Sequence, residues 1–207
     1  MEVVGILGGT FNPVHLGHIQ MAVCAHEQFN IPNILIMPSG SPSSYKDTSI
    51  IAPAKDRCAM IELAIKDYPY MSLSTLEIDR AGATYTSDTL KALRDKDLYI
   101  YFIIGADSLF MLDKWHEAEY VMRNCHFLAV NRESHPEAEL ESRLKYLREN
   151  FGAKIDLLKM NDMPMSSSEI RELVRSGESI KNMVSESVEA YIKEHGLYSE
   201  AGIRVKR

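Results

Sequence analysis

The chain has 207 residues, 45% of them hydrophobic, which is enough to bury one substantial core. Its net charge of −6 and isoelectric point near 5.7 argue against general nucleic-acid binding, which needs a basic surface to displace counterions, yet leave room for a local cationic pocket. Cys24, Cys58 and Cys125 are odd in number and lack CxxC spacing. Since no long apolar run or secretion-type leader stands out either, buried thiols in a cytoplasmic protein without a membrane partner are expected.

Taken in chain order, Val3 to Leu7 reads as a continuously apolar strand, followed by a helix from His18 to Phe29. Ile34 to Met37 is the second strand, and Ala54 to Lys66 the second helix. Between them, residues 38–53 form one long irregular loop rich in Pro, Ser and Thr, of the kind that serves as a lid or binding loop. A third strand at Met71 to Leu76 leads to a helix from Ser87 to Arg94. The fourth, Tyr99 to Ile104, precedes one long helix from Leu109 to Met122. Phe127 to Val130, a helix from Glu137 to Glu149, and Ile155 to Leu158 complete the alternation. Two helices follow, Ser167 to Ser176 and Ser185 to His195, with no strand after them. Apolar strands alternating with helices imply right-handed crossovers and a doubly wound, Rossmann-like α/β fold with a parallel sheet and C-terminal helices. One domain over residues 1–207 is expected, with a core at 1–160 and a helical part at 161–198.

The stretch Gly5-Ile-Leu-Gly-Gly-Thr-Phe-Asn-Pro-Val-His-Leu-Gly-His18 stands where such a sheet binds ligands, beyond the carboxyl end of strand one. Gly8 and Gly9 let backbone approach a phosphate closely. His15 and His18 are expected on one face of the first helical turn. A helix N-terminus disfavours imidazolium unless bound phosphate compensates, so the pair suits a polyphosphate. A dinucleotide-binding turn would read GxGxxG with an acidic residue ending strand two, but that strand ends Met37-Pro38-Ser39. A zinc site from His15 and His18 lacks an obvious second pair of ligands. The plainer alternative is a tight glycine turn with His18 packing or capping the helix.

These residues resemble the first signature of the HxGH nucleotidyltransferase superfamily, here His15-Leu16-Gly17-His18. The lead-in Gly-Gly-Thr-Phe-Asn-Pro is similar to that of the bacterial nicotinate-nucleotide adenylyltransferases. Ser166-Ser167-Ser168-Glu169-Ile170-Arg171 resembles the second signature, with Ser168 in place of threonine. The same serines would serve as a plain N-cap, while Arg171 could grip a phosphate bidentately. Ile103 to His116 matches the segment where Gly105 and Asp107 border adenosine and a tryptophan, here Trp115, faces the pyridine ring. Alone, Trp115 would read as a packing residue and Asp107 as a cap. Ala83 to Thr89 resembles the element that reads the pyridine substituent, where amides near Thr86 would favour a carboxylate over a carboxamide. In the long loop the family pattern Pro-Pro-His-Lys is replaced by Pro42-Ser43-Ser44-Tyr45-Lys46, which keeps the lysine and loses the histidine.

The resemblance implies adenylyl transfer from ATP to nicotinate mononucleotide, with Mg²⁺ accompanying ATP, no metal held by the protein itself, and a homo-oligomer as a possible state. It assigns catalysis to His15, His18, Lys46 and Arg171. It assigns ATP binding to Gly8, Gly9, Thr10, Phe11, His18, Gly105, Asp107, Ser166, Ser167, Ile170 and Arg171. Asn12, Lys46, Tyr85, Thr86 and Trp115 would bind the mononucleotide. For His15, phosphate binding and ordering of the turn both stay open. Transfer to nicotinamide mononucleotide or phosphopantetheine is the nearest alternative, and a noncatalytic nucleotide sensor is a more distant one.

Overall fold

A computed structural model describes residues 1–41, 50–130, 136–161 and 163–199. Six parallel strands are arranged in the order β3-β2-β1-β4-β5-β6: β1 Glu2–Gly9, β2 Asn33–Pro38, β3 Met71–Leu73, β4 Leu98–Gly105, β5 His126–Val130 and β6 Lys154–Leu158. The helices are α1 Leu16–Phe29, α2 Ala54–Ile65, α3 Thr86–Leu93, α4 Ala106–Met111, α5 Ala118–Asn124, α6 Glu137–Phe151, α7 Ser167–Ser176 and α8 Glu186–Glu194. The doubly wound sheet anticipated from the apolar runs is therefore present.

The strands are apolar on both sides because both faces are covered. In β4, Ile100, Phe102 and Ile104 enter one core, whereas Ile103 enters the other. The first core is shared with α3 to α6 through Leu90, Leu109, Val121 and Leu144. The second receives α1, α2, α7 and α8 through Ala22, Met60, Ile170 and Val188, so the C-terminal helices seal the same core as α1. The order of strands reverses between β1 and β4. Their adjacent carboxyl ends open a crevice there, the usual ligand position in such sheets.

Two expected elements differ. The helix anticipated from Leu109 to Met122 is interrupted. α4 gives way to a 3₁₀ turn at Leu112–Lys114, Trp115 is extended (ψ 154°) and Glu117 is left-handed (φ 51°) before α5 starts. Tertiary contacts override local propensity here: the indole packs edge-on against Phe102 and Phe127, both at 6.3 Å. Arg143 of α6 holds the segment by donating to the Leu109 carbonyl and pairing with Asp113, whose carboxyl it keeps below the ordinary range. β3 stops at Leu73, short of the expected Leu76. After Ser74 donates to the Ile36 carbonyl (3.0 Å), the chain turns, closed by an Asp79 amide bond to Thr75. All three cysteines are free thiols; Cys24 and Cys125 are buried as expected, whereas Cys58 is partly exposed. Among the described residues no helix is long and apolar enough to cross a membrane.

Candidate active site

The crevice beside β1 and β4 is a cleft of about 330 Å³. Its floor is the carboxyl end of these two strands, Leu7 to Thr10 and Phe102 to Gly105. His18, Ser39, Glu77, Thr84, Thr86, Ser108 and Trp115 line its sides.

His18 is the best-defined group in it. Its Nδ1 accepts the backbone N–H of His15 (3.3 Å), which puts the proton of a neutral ring on Nε2. The ring is held between His15, stacked at 3.6 Å, and Phe11, edge-on at 4.9 Å. His18 thus stands at N3 of α1 as an oriented donor at a helix N-terminus. His15 behaves differently. It is the N-cap residue, only 4% exposed, and borders a separate cavity of about 120 Å³ with Leu63, Tyr68 and Ser185 instead of the cleft. The two rings share one face of the first turn, as expected, stacked on each other with His15 as the N-cap and on the side away from the cleft. Gly17 between the histidines has a steric reason: a Cβ there would stand 3.1 Å from His15 Nδ1.

The turn after β1 is fixed by its carbonyls. Gly9 O accepts from Ser39 N–H (2.9 Å), Thr10 O from Arg57 Nη1 (2.8 Å), Asn12 O from Arg171 Nη1 (2.8 Å) and Pro13 O from Ser167 Oγ (2.9 Å). With these oxygens engaged by other segments, the turn cannot swing its acceptors toward an anion, which is the arrangement a phosphate-binding turn needs. Phe11 sits in the turn at φ 49°, an uncommon conformation for a side chain of its size, and its ring is core rather than cleft wall.

Several expected contacts turn inward. Asn12, expected to contact the mononucleotide, is fully buried; its Nδ2 donates to Ile50 O (3.0 Å) and its Oδ1 accepts from Ala52 N–H (2.9 Å), so its amide clamps residues 50–52 to the turn. Ser166 caps α7 by accepting from Glu169 N–H (3.1 Å), and Ile170 is core. Arg171 is buried between the Asn12 carbonyl and Ser168 Oγ (3.1 Å). Asp107 is an exposed residue of the first turn of α4, for which Gly105 is the cap; its neighbour Ser108 borders the cleft. Lys46 lies outside the described residues. Gly8, Gly9, Thr10, Gly105, Thr86 and Trp115 all line the cleft as expected.

At the far side, Thr86 is the first residue of α3 and Tyr85 its N-cap, and Thr86 borders the cleft together with Trp115. Tyr85 packs its ring on His116 (4.4 Å). Thr84 and Ser41 tie the neighbouring loops reciprocally, Thr84 N–H to Ser41 O (3.2 Å) and Ser41 N–H to Thr84 Oγ1 (3.1 Å). Glu77 was not anticipated. It is 5% exposed, accepts from Thr89 Oγ1 (2.7 Å) and borders the cleft; burial pushes its carboxyl up, opposed by the Thr89 hydroxyl and the Arg80 charge. Its segment is locked by Gly40, where a Cβ would stand 2.3 Å from the Glu77 carbonyl oxygen. Arg57 was also missed. A lone arginine in register with Met60, Ile61 and Ile65 along an apolar helix face was the available signal.

The sheet with its cleft at the switch point is that of a nucleotidyltransferase: the chain matches the cytidylyltransferase-like family over residues 6–173. A probable nicotinate-nucleotide adenylyltransferase of Lachnoclostridium phytofermentans is 44% identical over 200 residues, covering 96% of this chain and all of the relative. One from Dehalococcoides mccartyi is 40% identical over 200 residues, covering 94% of this chain and 96% of the relative. The chain belongs to the nicotinate-nucleotide adenylyltransferase family. The fold is shared with Plasmodium falciparum nicotinic acid mononucleotide adenylyltransferase complexed with NaAD, at a TM-score of 0.77 and 21% identity, covering 96% of this chain and 98% of that one.

Proposed function

We propose that this protein transfers the adenylyl group of ATP to the 5′-phosphate of nicotinate mononucleotide, giving nicotinate adenine dinucleotide and pyrophosphate. The observation that carries it is His18, oriented by the His15 amide on its Nδ1 so that Nε2 is the ring's donor, in the wall of a cleft that Trp115 and the start of α3 also line. A phosphate monoester is already largely dianionic at pH 7, so its oxygen attacks without a general base. The site's task is to bring two anions into line and to stabilise charge growing on the α-phosphate and the leaving pyrophosphate. His18 donates there, and the amides of Gly8 to Thr10 approach the same phosphates. His15 sets the ring of His18, and Arg171 holds the turn through Asn12 while adding positive charge behind it. Lys46 is a further cation by family resemblance. Trp115 stacks on the pyridine, and the Thr86 amide region selects its carboxylate.

Among the described residues no cluster of acidic, histidine or cysteine side chains could cage a metal. The cleft offers mainly hydroxyls such as those of Thr10, Ser39 and Ser108, a donor set that fits Mg²⁺ arriving on the ATP phosphates with its own waters. Such an ion neutralises phosphate charge. The free thiols suit a reducing, cytoplasmic setting.

The test is pyrophosphate release with ATP and a panel of acceptors. Nicotinate mononucleotide should be the fastest. Equal or faster release with nicotinamide mononucleotide or phosphopantetheine would replace the substrate assignment, and no release with any acceptor despite tight ATP binding would indicate a sensor.

A further inference from the structure

We infer that Arg57 is a positioning residue for the reaction, a buried guanidinium fork that extends the sheet by one rung and thereby sets the phosphate-binding turn. The proposal rests on the adenylyl-transfer reading for its kinetic test, though its geometry does not.

The β1–β2 ladder ends with Gly9 opposite Pro38. The next residues on the two strands are Thr10 and Ser39, and both line the cleft. Parallel strands diverge where their ladder stops, because nothing further pairs the carbonyls. Here Arg57 supplies the missing donors. Nη1 donates to Thr10 O and Nη2 to Ser39 O, each at 2.8 Å, while Nε donates to Ala52 O at 3.2 Å. One planar group thus joins the ends of two strands to the point where the long loop re-enters α2. Ala52 is doubly held, since its amide donates to Asn12 Oδ1.

Arg57 is 2% exposed. Its neighbour Asp56 accepts from the Tyr191 hydroxyl (3.0 Å). Three functional consequences follow from the fork. The Thr10 and Ser39 carbonyls are drawn toward α2 and away from a polyanion. The spacing of the two strand ends is fixed. A positive charge also sits immediately behind the turn, in a medium where it is poorly screened. Only arginine has three donors in a plane that can span two strand ends; lysine keeps the charge and loses the fork.

The experiment compares wild type, Arg57→Lys and Arg57→Ala for kcat and KM with ATP and nicotinate mononucleotide, with thermal melting in the same buffer. Arg57→Ala should lose about 10²-fold in kcat/KM for ATP, the scale of a displacement near 1 Å at a reacting group. Methylguanidinium at tens of millimolar should restore at least about tenfold of it, without effect on wild type. Arg57→Lys should lose about tenfold while still melting cooperatively. A folded Arg57→Lys within threefold of wild type overturns the fork, as does an Arg57→Ala loss that methylguanidinium leaves untouched. If Arg57→Ala does not fold, Arg57→Lys alone decides by the same limit. Should wild type release no pyrophosphate, the failure belongs to the reaction assignment. Arg57 is then judged by calorimetric ATP affinity, expected about tenfold weaker in Arg57→Lys and contradicted by equal affinity.

Discussion

At the β1 end of the cleft, the turn of residues 9–13 hangs on polar bonds from the end of β2, α2 and α7, made by Ser39, Arg57, Ser167 and Arg171. At the other end, Trp115 is set by aromatic packing on Phe102 and Phe127, and Thr86 by the start of a helix. The first wall is directional: each bond fixes an atom, and removing a donor leaves a buried acceptor unpaired. The second is an apolar surface whose area, more than its exact angle, holds a ring. Damage to the first wall should therefore appear in kcat or in stability, and damage to the second in the affinity for one substrate.

His18→Ala gives the largest effect expected, a fall in kcat of about 10² to 10³ as for loss of one transition-state donor. A variant within threefold of wild type in steady-state assays would take His18 out of the chemistry. Asn12→Ala comes next. It strands the Ile50 carbonyl and the Ala52 amide, each costing about 1–3 kcal/mol, so urea unfolding should show a lower midpoint. An unchanged midpoint would mean the loop root does not depend on this clamp.

Trp115→Ala should be milder and selective. Losing about 0.5–1.5 kcal/mol of ring stacking raises KM for the mononucleotide several-fold and leaves KM for ATP nearly unchanged. If both constants rise together, the two walls are not separable in this way.

Smallest is Glu77→Gln, which keeps an oxygen for the Thr89 hydroxyl but cannot ionise. Burial raises the folded-state pKa of Glu77, so the folded protein holds this proton more tightly than the unfolded chain. The contribution of Glu77 to stability is thus full at low pH. It is lost as pH climbs from the ordinary glutamate value of about 4.3 through the raised one. Above that window Glu77→Gln should gain stability relative to wild type, whereas below it the difference should shrink. Denaturant titrations across this range check the sign, and a difference independent of pH would deny the burial effect.

Much of the molecule was legible in the chain. Continuous apolar runs such as Tyr99 to Ile104 announce strands covered on both faces, and their alternation with helical patterns announces the winding. His18 and Gly9 were found because each lies at a strand end or helix start, places that sequence periodicity locates well, whereas Thr86 and Trp115 were picked out by family resemblance. Less visible was which way a polar side chain turns. Asn12 and Arg171 read as ligand contacts and proved to be clamps, whereas Glu77 and Arg57 read as nothing in particular.

The amino-acid sequence by itself determined the order of elements, the parallel sheet, the position of the cleft and the presence of a histidine at the first helix start. These follow from local periodicity, glycine and proline placement, and the geometry of parallel crossovers. Only tertiary structure decided that His15 stands behind His18, that the helix expected after β4 breaks at Trp115, and that two buried arginines hold the turn. Those outcomes depend on partners up to 159 residues away along the chain, as between Arg171 and Asn12. Contacts at that separation leave no periodic trace in a sequence.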